Sequence, residues 1–331
     1  MPTVLITGGH NGIGLAAAKQ LASGPHLNLL LAGRNLARVE TAAQQIRSQY
    51  GVAVGTVQLD LSSLASVREA AASCRAMLDS GQIDSLQAIL CNAGAQFQGP
   101  ISYSPDGYEE TFATNYLGYF LLVDLLLDRV SENGRIVFTA SGTHDPETMD
   151  GKMVGLAVEP DAQALAFDGK NGGKPISGGK RYTTSKLCLI LYAYELDRRL
   201  RQSGSSLASI AFDPGLVPET GLTRTSPKPV QWLATTSVMK SLFKRLGVTM
   251  GSVSFSGASL GKLGADPSFA SASGKYFQSH NGALTERRSS KVSYDEKRAA
   301  KLWDDSERLV HLQVSEETFS LQEHKKPALA Q

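Results

Sequence analysis

Tyr182 and Lys186 stand four positions apart at the head of a stretch, TSKLCLILYAYELDRRLRQ, whose pattern predicts a helix over 184–202. Residues four apart on a helix share a face, so a phenol and an ammonium would point the same way. A phenol with a pKa near ~10 is a poor acid–base group at neutral pH, and a neighbouring ammonium lowers that value by stabilising phenolate. Two further polar residues come earlier: Ser141 closes the strand-like run RIVFTAS (135–141), and Asn115 lies in TNYLGYF. The Ser141 hydroxyl can hold a carbonyl oxygen while Tyr182 exchanges a proton with it. Taken singly, these residues read as a surface Tyr and Lys, a capping Ser and an Asn satisfied by backbone.

A second candidate site opens the chain. MPTVLITGGHNGIGLAAAKQL runs from a short apolar strand (4–8) through glycines at 8, 9, 12 and 14 into an alanine-rich helix ending near Ser23. Strand, loop and helix start form the setting a dinucleotide pyrophosphate needs. Gly12 and Gly14 carry no Cβ to block the phosphates, and the free N–H groups and dipole at the helix start favour an anion. The spacing, TGxxxGxG, is weak as a pattern; its position gives it weight. The second strand, LNLLLAG (27–33), leads into Arg34 with no acid beside it. An NAD site places Asp or Glu there for the ribose hydroxyls, whereas a 2′-phosphate calls for a guanidinium. Arg34 therefore predicts NADPH/NADP+, with a solvated surface arginine as the alternative. Asp60, in VGTVQLDL (54–61), can accept from the adenine amino group or cap the helix that follows.

The elements that must position these residues alternate. Helices are expected over 36–49, 64–78, 107–130 and 293–312, and further strands at LQAILCNAG (86–94), LASIAFDPG (207–215) and GKYFQ (274–278). Apolar runs flanked by helices are what strands buried on both faces look like, so the fold class is α/β, a single doubly wound Rossmann domain with a parallel sheet, over residues 1–320. Two stretches interrupt the alternation, 142–181 and 216–255, and would rise beside the site as lids. In the second, Trp232, Leu233, Val238, Met239, Leu242, Phe243 and Leu246 can form an apolar face flanked by Lys240, Lys244 and Arg245, which suits a hydrophobic substrate wall, a peripheral membrane contact through 229–246, or an ordinary packed helix. Residues 321–331 read as a frayed tail.

Net charge is +2 over 331 residues, with no basic clustering of the kind nucleic acid requires. The cysteines, Cys74, Cys91 and Cys188, are scattered without metal or disulfide spacing. No run reaches the ~20 apolar residues of a membrane span, and no charged leader precedes the first strand. A soluble cytoplasmic protein acting on a small hydrophobic substrate is expected, as monomer or homodimer.

Together the motifs resemble the short-chain dehydrogenase/reductase family: TGGHNGIG (7–14), DL (60–61), CNAG (91–94, with Cys91 where the family usually has Asn), TN (114–115), Ser141, YTTSK (182–186) and PG (214–215) follow in the family's order. The resemblance implies a tetrad of Asn115, Ser141, Tyr182 and Lys186. It also implies cofactor contacts from Gly8, His10, Asn11, Gly12 and Ile13, from Asp60 and Leu61, and from Asn92, Ala93 and Gly94. Lys186 would hold the nicotinamide ribose, with Pro214, Gly215 and Thr220 beside the nicotinamide. Within the family, ETFATNYLGYFLLVDLLLD (110–128), GGKRYTTSKLC (178–188), PGLVPETGL (214–222) and KLWDDSERLV (301–310) are similar to the group holding retinol dehydrogenase-like enzymes and light-dependent protochlorophyllide reductases. The latter carry a cysteine directly after the Pro-Gly, where this chain has Leu216; Cys188 does match theirs. The expected activity is hydride transfer between NADPH and a carbonyl or alcohol, with light-driven reduction of a tetrapyrrole double bond as the alternative and an NADP-binding regulator without catalysis as a third.

Overall fold

The computed structural model describes residues 1–24, 26–97, 99–170, 172–218, 245–280 and 282–313, with Thr236, Met239, Phe243 and Glu316. Seven strands run parallel: β1 (Thr3–Thr7), β2 (Asn28–Gly33), β3 (Val54–Gln58), β4 (Leu86–Cys91), β5 (Val130–Thr139), β6 (Ala208–Asp213) and β7 (Lys275–His280). An eighth, β8 (Ala283–Arg287), pairs antiparallel with β7. The spatial order is β3-β2-β1-β4-β5-β6-β7-β8. It reverses between β1 and β4, the point where such sheets open a ligand crevice at their C-terminal edge.

The sheet divides the core in two. Leu5 faces one layer, with Phe120, Phe138, Tyr192 and Trp303, while Val4 and Ile6 face the other, with Ala17, Leu29, Leu31 and Leu260. Successive strand residues point to opposite faces, so a strand covered on both must be apolar throughout. The first layer is roofed by α3 (Leu64–Asp79), α4 (Gly118–Leu126), α7 (Gly178–Gln202) and α9 (Glu296–Leu309); the second by α1 (Gly12–Ala22), α2 (Leu36–Tyr50) and α8 (Val253–Ala265). The last helix turns an apolar stripe to this layer, with Leu302, Trp303, Leu309 and the adjoining Val310 all buried. Trp303 meets Phe120 edge-on, ring centroids 5.1 Å apart, and carries the Arg199 guanidinium 4.3 Å from its own.

Three differences from the sequence reading matter for the site. The helix expected over 107–130 is interrupted: a short turn, Glu110–Phe112, passes into a π-helical turn, Ala113–Leu117, before α4. Helix α7 starts at Gly178, capped by Ser177, so Tyr182 sits inside the helix rather than ahead of it. Both α8 and β8 were absent from the sequence reading. Glycine-rich α8 has poor intrinsic helix propensity, but its glycines let it lie directly on α1. A Cβ at Gly257 would fall 2.3 Å from the Cβ of Ala16. Residues 142–181 contain α5 (Met149–Val154) and α6 (Ala162–Ala166). Most of 219–244 and all of 317–331, including the expected tail, lie outside the described residues.

Candidate active site

A cleft of about 660 Å³ opens where β1, β2, β4, β5 and β6 end. Its floor at one end is the glycine loop. Gly8 and Gly12 hold φ of +66° and +53°, which glycine adopts without strain. A Cβ at Gly14 would lie 2.5 Å from the Gly8 carbonyl oxygen. No acidic residue occupies the first turn of α1, and Asn11 at its N-cap makes no side-chain capping bond. His10, Asn11 and Ile13 also line the cleft. The loop therefore presents backbone N–H groups to an open space, as an anion requires.

Across the cleft mouth, Arg34 is joined by Arg38, which the sequence reading missed although it lies one helical turn further on. Among the described residues neither guanidinium is in an ion pair. Asp60 does not cap the helix that follows: its Oδ1 accepts from the Ser62 N–H and hydroxyl at 3.0 and 2.7 Å, and the residue lines the cleft beside Leu61. The cap of α3 is Ser63.

The loop after β4 is stapled to β1 by Thr7. Its Oγ1 accepts the N–H groups of Asn92 and Ala93 at 2.9 and 3.1 Å, and the Asn92 amide donates to the Thr7 carbonyl at 3.1 Å. Tyr119 adds a donated bond to the Ala93 carbonyl at 2.6 Å. Asn115 holds the next residue: its amide donates to the Ala95 carbonyl at 2.9 Å and its carbonyl accepts the Ala95 N–H at 2.9 Å. The π turn serves this purpose, because the widened turn sends Asn115 out toward the loop. The same amide donates to Ser185 on α7 at 3.1 Å. Gly94 lies close to both Asn115 and Lys186, since a Cβ there would stand 3.3 Å from Asn115 Oδ1 and from Lys186 Nζ, and each would have to give by a few tenths of an ångström.

Ser141, two residues beyond β5, stands in the cleft wall with Tyr182, near enough for its hydroxyl to act on the phenol. Both are in the cleft wall with Lys186, and Tyr182 and Lys186 are almost wholly buried. The expectation that Lys186 lowers the phenol's pKa is corrected by the geometry. The ammonium donates to the Thr139 carbonyl at 2.8 Å and lies 5.8 Å from the Tyr182 ring centroid. Burial pushes the phenol up to about 12; the Ser141 hydrogen bond opposes this, and the Asp213 carboxylate adds to it. Burial also brings the Lys186 ammonium down to about 8, against the attraction of Asp213.

Asp213 and Asp150 are polar cleft residues that sequence reasoning passed over. Asp213, the last residue of β6, accepts from the Gly215 N–H and the Gln278 amide, each at 2.9 Å. Asp150, on α5, accepts the Thr249 N–H at 3.3 Å, and burial followed by the Asp213 charge raises it to about 6. Asp213 could have been suspected from its place beside Pro214-Gly215; Asp150 carried no signal. Pro214 and Gly215 line the cleft as expected, Gly215 with φ +72°; Thr220 lies outside the described residues. Apolar walls come from both interruptions: Met153 and Val154 from the first, Leu216, Val217 and Val248 from the second, facing Phe97. Of the face expected at 232–246, only Met239, Phe243, Arg245 and Leu246 are described. Cys188 is in the core and away from the cleft. Among the described residues no helix is long and apolar enough to cross a membrane, and no cluster of ligands could hold a metal.

A family model described as short chain dehydrogenase matches residues 2–149. Protochlorophyllide reductase A, chloroplastic, of Oryza sativa subsp. japonica is 34% identical over an alignment covering 93% of this chain and 80% of the relative. The chain belongs to the short-chain dehydrogenase family. As a member of that family it is an oxidoreductase. Short-chain dehydrogenase TIC 32 A, chloroplastic, of Brassica napus is 32% identical, covering 93% of this short-chain dehydrogenase and 88% of the relative. Among solved structures, a short chain dehydrogenase from Burkholderia cenocepacia J2315 in complex with NADP shares the fold at a TM-score of 0.61 and 21% identity, covering 85% of this chain and 97% of that one.

Proposed function

We propose that this short-chain dehydrogenase reduces a carbonyl group on a bulky apolar substrate at the expense of NADPH, without light. The cofactor is NADP(H). The fit lies in the residues present: Gly8 and Gly12 hold positive φ, the loop is so close that a Cβ at Gly14 would lie 2.5 Å from the Gly8 carbonyl oxygen, and two guanidinium groups line the cleft beyond β2, where the family pattern puts a 2′-phosphate. When bound, NADPH supplies the hydride. Gly8 to Ile13 would hold its pyrophosphate, Arg34 and Arg38 its phosphate, and Asp60, Leu61 and Asn92 to Gly94 the adenosine half and the span beside it. Lys186, Pro214, Gly215 and, on the family pattern, Thr220 would take the nicotinamide end.

The observation that carries the reading is a buried Tyr182 set beside Ser141 and an apolar wall. A phenol pushed up to about 12 keeps its proton at neutral pH and can give it to an alkoxide, which is more basic still, though it is a slower donor than a group tuned near neutrality. Ser141 holds the carbonyl oxygen, and Tyr182 delivers the proton to it as the hydride arrives at carbon. Asn115 fixes the loop over the site. Lys186, charged near neutral pH, faces the same space from its bond to the Thr139 carbonyl and would hold the nicotinamide ribose. The interruptions at 142–181 and 216–255 act as lids that shape the apolar end of a single domain spanning 1–320, and 229–246 is the segment that would meet a membrane surface.

The second reading, light-driven reduction of a tetrapyrrole double bond, is favoured by the likeness to protochlorophyllide reductase A of rice. Against it, Leu216 has no proton to give, and Cys188 is walled off in the core. Both readings are tested by assaying the enzyme with NADPH against aromatic and retinoid carbonyls in the dark, and against protochlorophyllide in light and dark. Dark turnover of a carbonyl is expected. A light-dependent chlorophyllide absorption shift would replace the first reading by the second, and no turnover in any arm would favour a regulator.

A further inference from the structure

His144 plays no part in the chemistry above, yet it is bonded at both ring nitrogens. It closes the 3-10 turn Gly142–His144 immediately after Ser141 and is 2% exposed. Nε2 receives the backbone N–H of Ser290 at 3.0 Å, and Nδ1 lies 2.7 Å from the Ser141 carbonyl oxygen. A backbone amide can only donate and a carbonyl can only accept. The ring must therefore be neutral, with its one proton on Nδ1. Burial agrees, lowering the imidazole from its ordinary value against the pull of Asp213 and Asp145.

The partners complete a circuit. The Ser290 carbonyl accepts from Ser293, whose hydroxyl meets Ser289 at 2.6 Å, and Ser289 meets Tyr194 at 2.8 Å. Tyr194 lies on α7, three turns beyond Tyr182. One end of the circuit is thus the turn that carries Ser141, and the other is the helix that carries Tyr182. The tie spans 146 residues of sequence between His144 and Ser290. Without it, Ser141 would be held by the end of β5 and by bonds local to the turn: its Thr143 contacts, from the N–H at 3.3 Å and the hydroxyl at 3.0 Å, the His144 N–H on its carbonyl at 3.2 Å, and Thr148 on the Gly142 carbonyl at 3.3 Å.

We propose that His144, as the neutral Nδ1–H tautomer, is a positioning residue that sets the Ser141 hydroxyl against Tyr182 by tying the Ser141 turn to the segment packed on α7. This rests on the reading of Ser141 and Tyr182 as the groups that hold and protonate the substrate oxygen. A misplacement of about 1 Å costs up to ~10²-fold in rate, so loss of the tie should be visible in kcat with little change in cofactor binding.

Two measurements decide it. The first is the 15N spectrum of the histidine-labelled enzyme, with His144 assigned by its disappearance in His144→Phe. A protonated Nδ1 and a bare Nε2 at pH 7 support the tie; the opposite tautomer or an imidazolium overturns it. The second is a double-mutant cycle with His144→Phe and Ser141→Ala, using NADPH and all-trans-retinal in the dark. His144→Phe should lower kcat by ~10-fold or more in the parent, leave the NADPH Kd unchanged, and do almost nothing further once Ser141 is Ala. An equal loss in both backgrounds would mean that the ring only supports the fold, and would sink the proposal. His144→Asn, which keeps a donor toward the Ser141 carbonyl, should recover part of the loss. If the parent turns over no carbonyl, the proposed function fails, while the tautomer still tells whether the tie exists.

Discussion

Replacing Asp150 by Asn should make the protein more stable, and only above a definable pH. Asp150 is buried, its carboxylate faces Asp213, and it accepts from Thr249, including the backbone N–H at 3.3 Å. Burial and the neighbouring charge raise its pKa from 3.8 to about 6. A carboxyl that keeps its proton longer in the folded state is one whose ionisation disfavours folding. The penalty is absent below the unfolded value, builds as pH climbs from 3.8 toward 6, and is complete above that. Two pK units correspond to about 3 kcal/mol at 1.36 kcal/mol per unit. The amide of Asn is nearly isosteric, carries no charge, can still accept from Thr249 and can donate toward Asp213. With an unfolding entropy of about 2.1 cal/mol/K per residue, 3 kcal/mol in a chain of this length is ~4 °C in Tm. Calorimetry on parent and Asp150→Asn at pH 4.5, 6 and 8 should give a gap that opens with pH to about that size. A gap constant across the series, or a variant less stable at pH 8, would refute the argument that a buried ionised carboxylate is tolerated here at a cost.

Arg34→Asp should erase or invert a preference for NADPH over NADH of at least ~10-fold, since two guanidinium groups give way to one facing a carboxylate; kcat/KM with each cofactor measures it, and an unchanged ratio would leave Arg34 a surface residue. Tyr182→Phe should retain NADPH binding by fluorescence titration and lose ~10²–10⁴-fold in turnover; near-normal rates would move the proton source elsewhere. Gly14→Ala should abolish NADPH binding, because its methyl group would meet the Gly8 carbonyl oxygen at 2.5 Å and force the loop open; Ala at Gly24, whose Cβ would come no nearer than 3.5 Å to any atom, should bind normally.

Much of the architecture could be read from the chain because strands buried on both faces must be apolar along their length. LNLLLAG and LQAILC announce themselves in this way, and Gly8, Gly12, Tyr182 and Lys186 stand out because their chemistry requires their types. The rest was hidden for specific reasons. Helix α8 is carried by contacts between its glycines and α1, which outweigh its poor propensity and leave no local signal. The π turn at Asn115 exists to satisfy the Ala95 loop, a partner twenty residues away. Asp150 and Arg38 are ordinary surface types until the fold brings them to the cleft. The phenol's pKa went the other way from the sequence argument because spacing shows a neighbouring charge but not the depth of burial.

Ser141 and Tyr182 stand together in the cleft wall, yet 41 positions separate them in the chain. The end of β5, the Thr143–His144 turn and the Ser177-capped start of α7 hold them in place. The chain between that turn and that cap is therefore freer to change length and composition, and doubling it would cost only about 0.6 kcal/mol in closure entropy. It also supplies Met153 and Val154 to the cleft wall. On the proposed reading, the residues that shape the apolar end of the cleft are thus set apart from those that move the proton, so a new specificity can be grown in residues 145–176 while Ser141, His144 and Tyr182 stay in place.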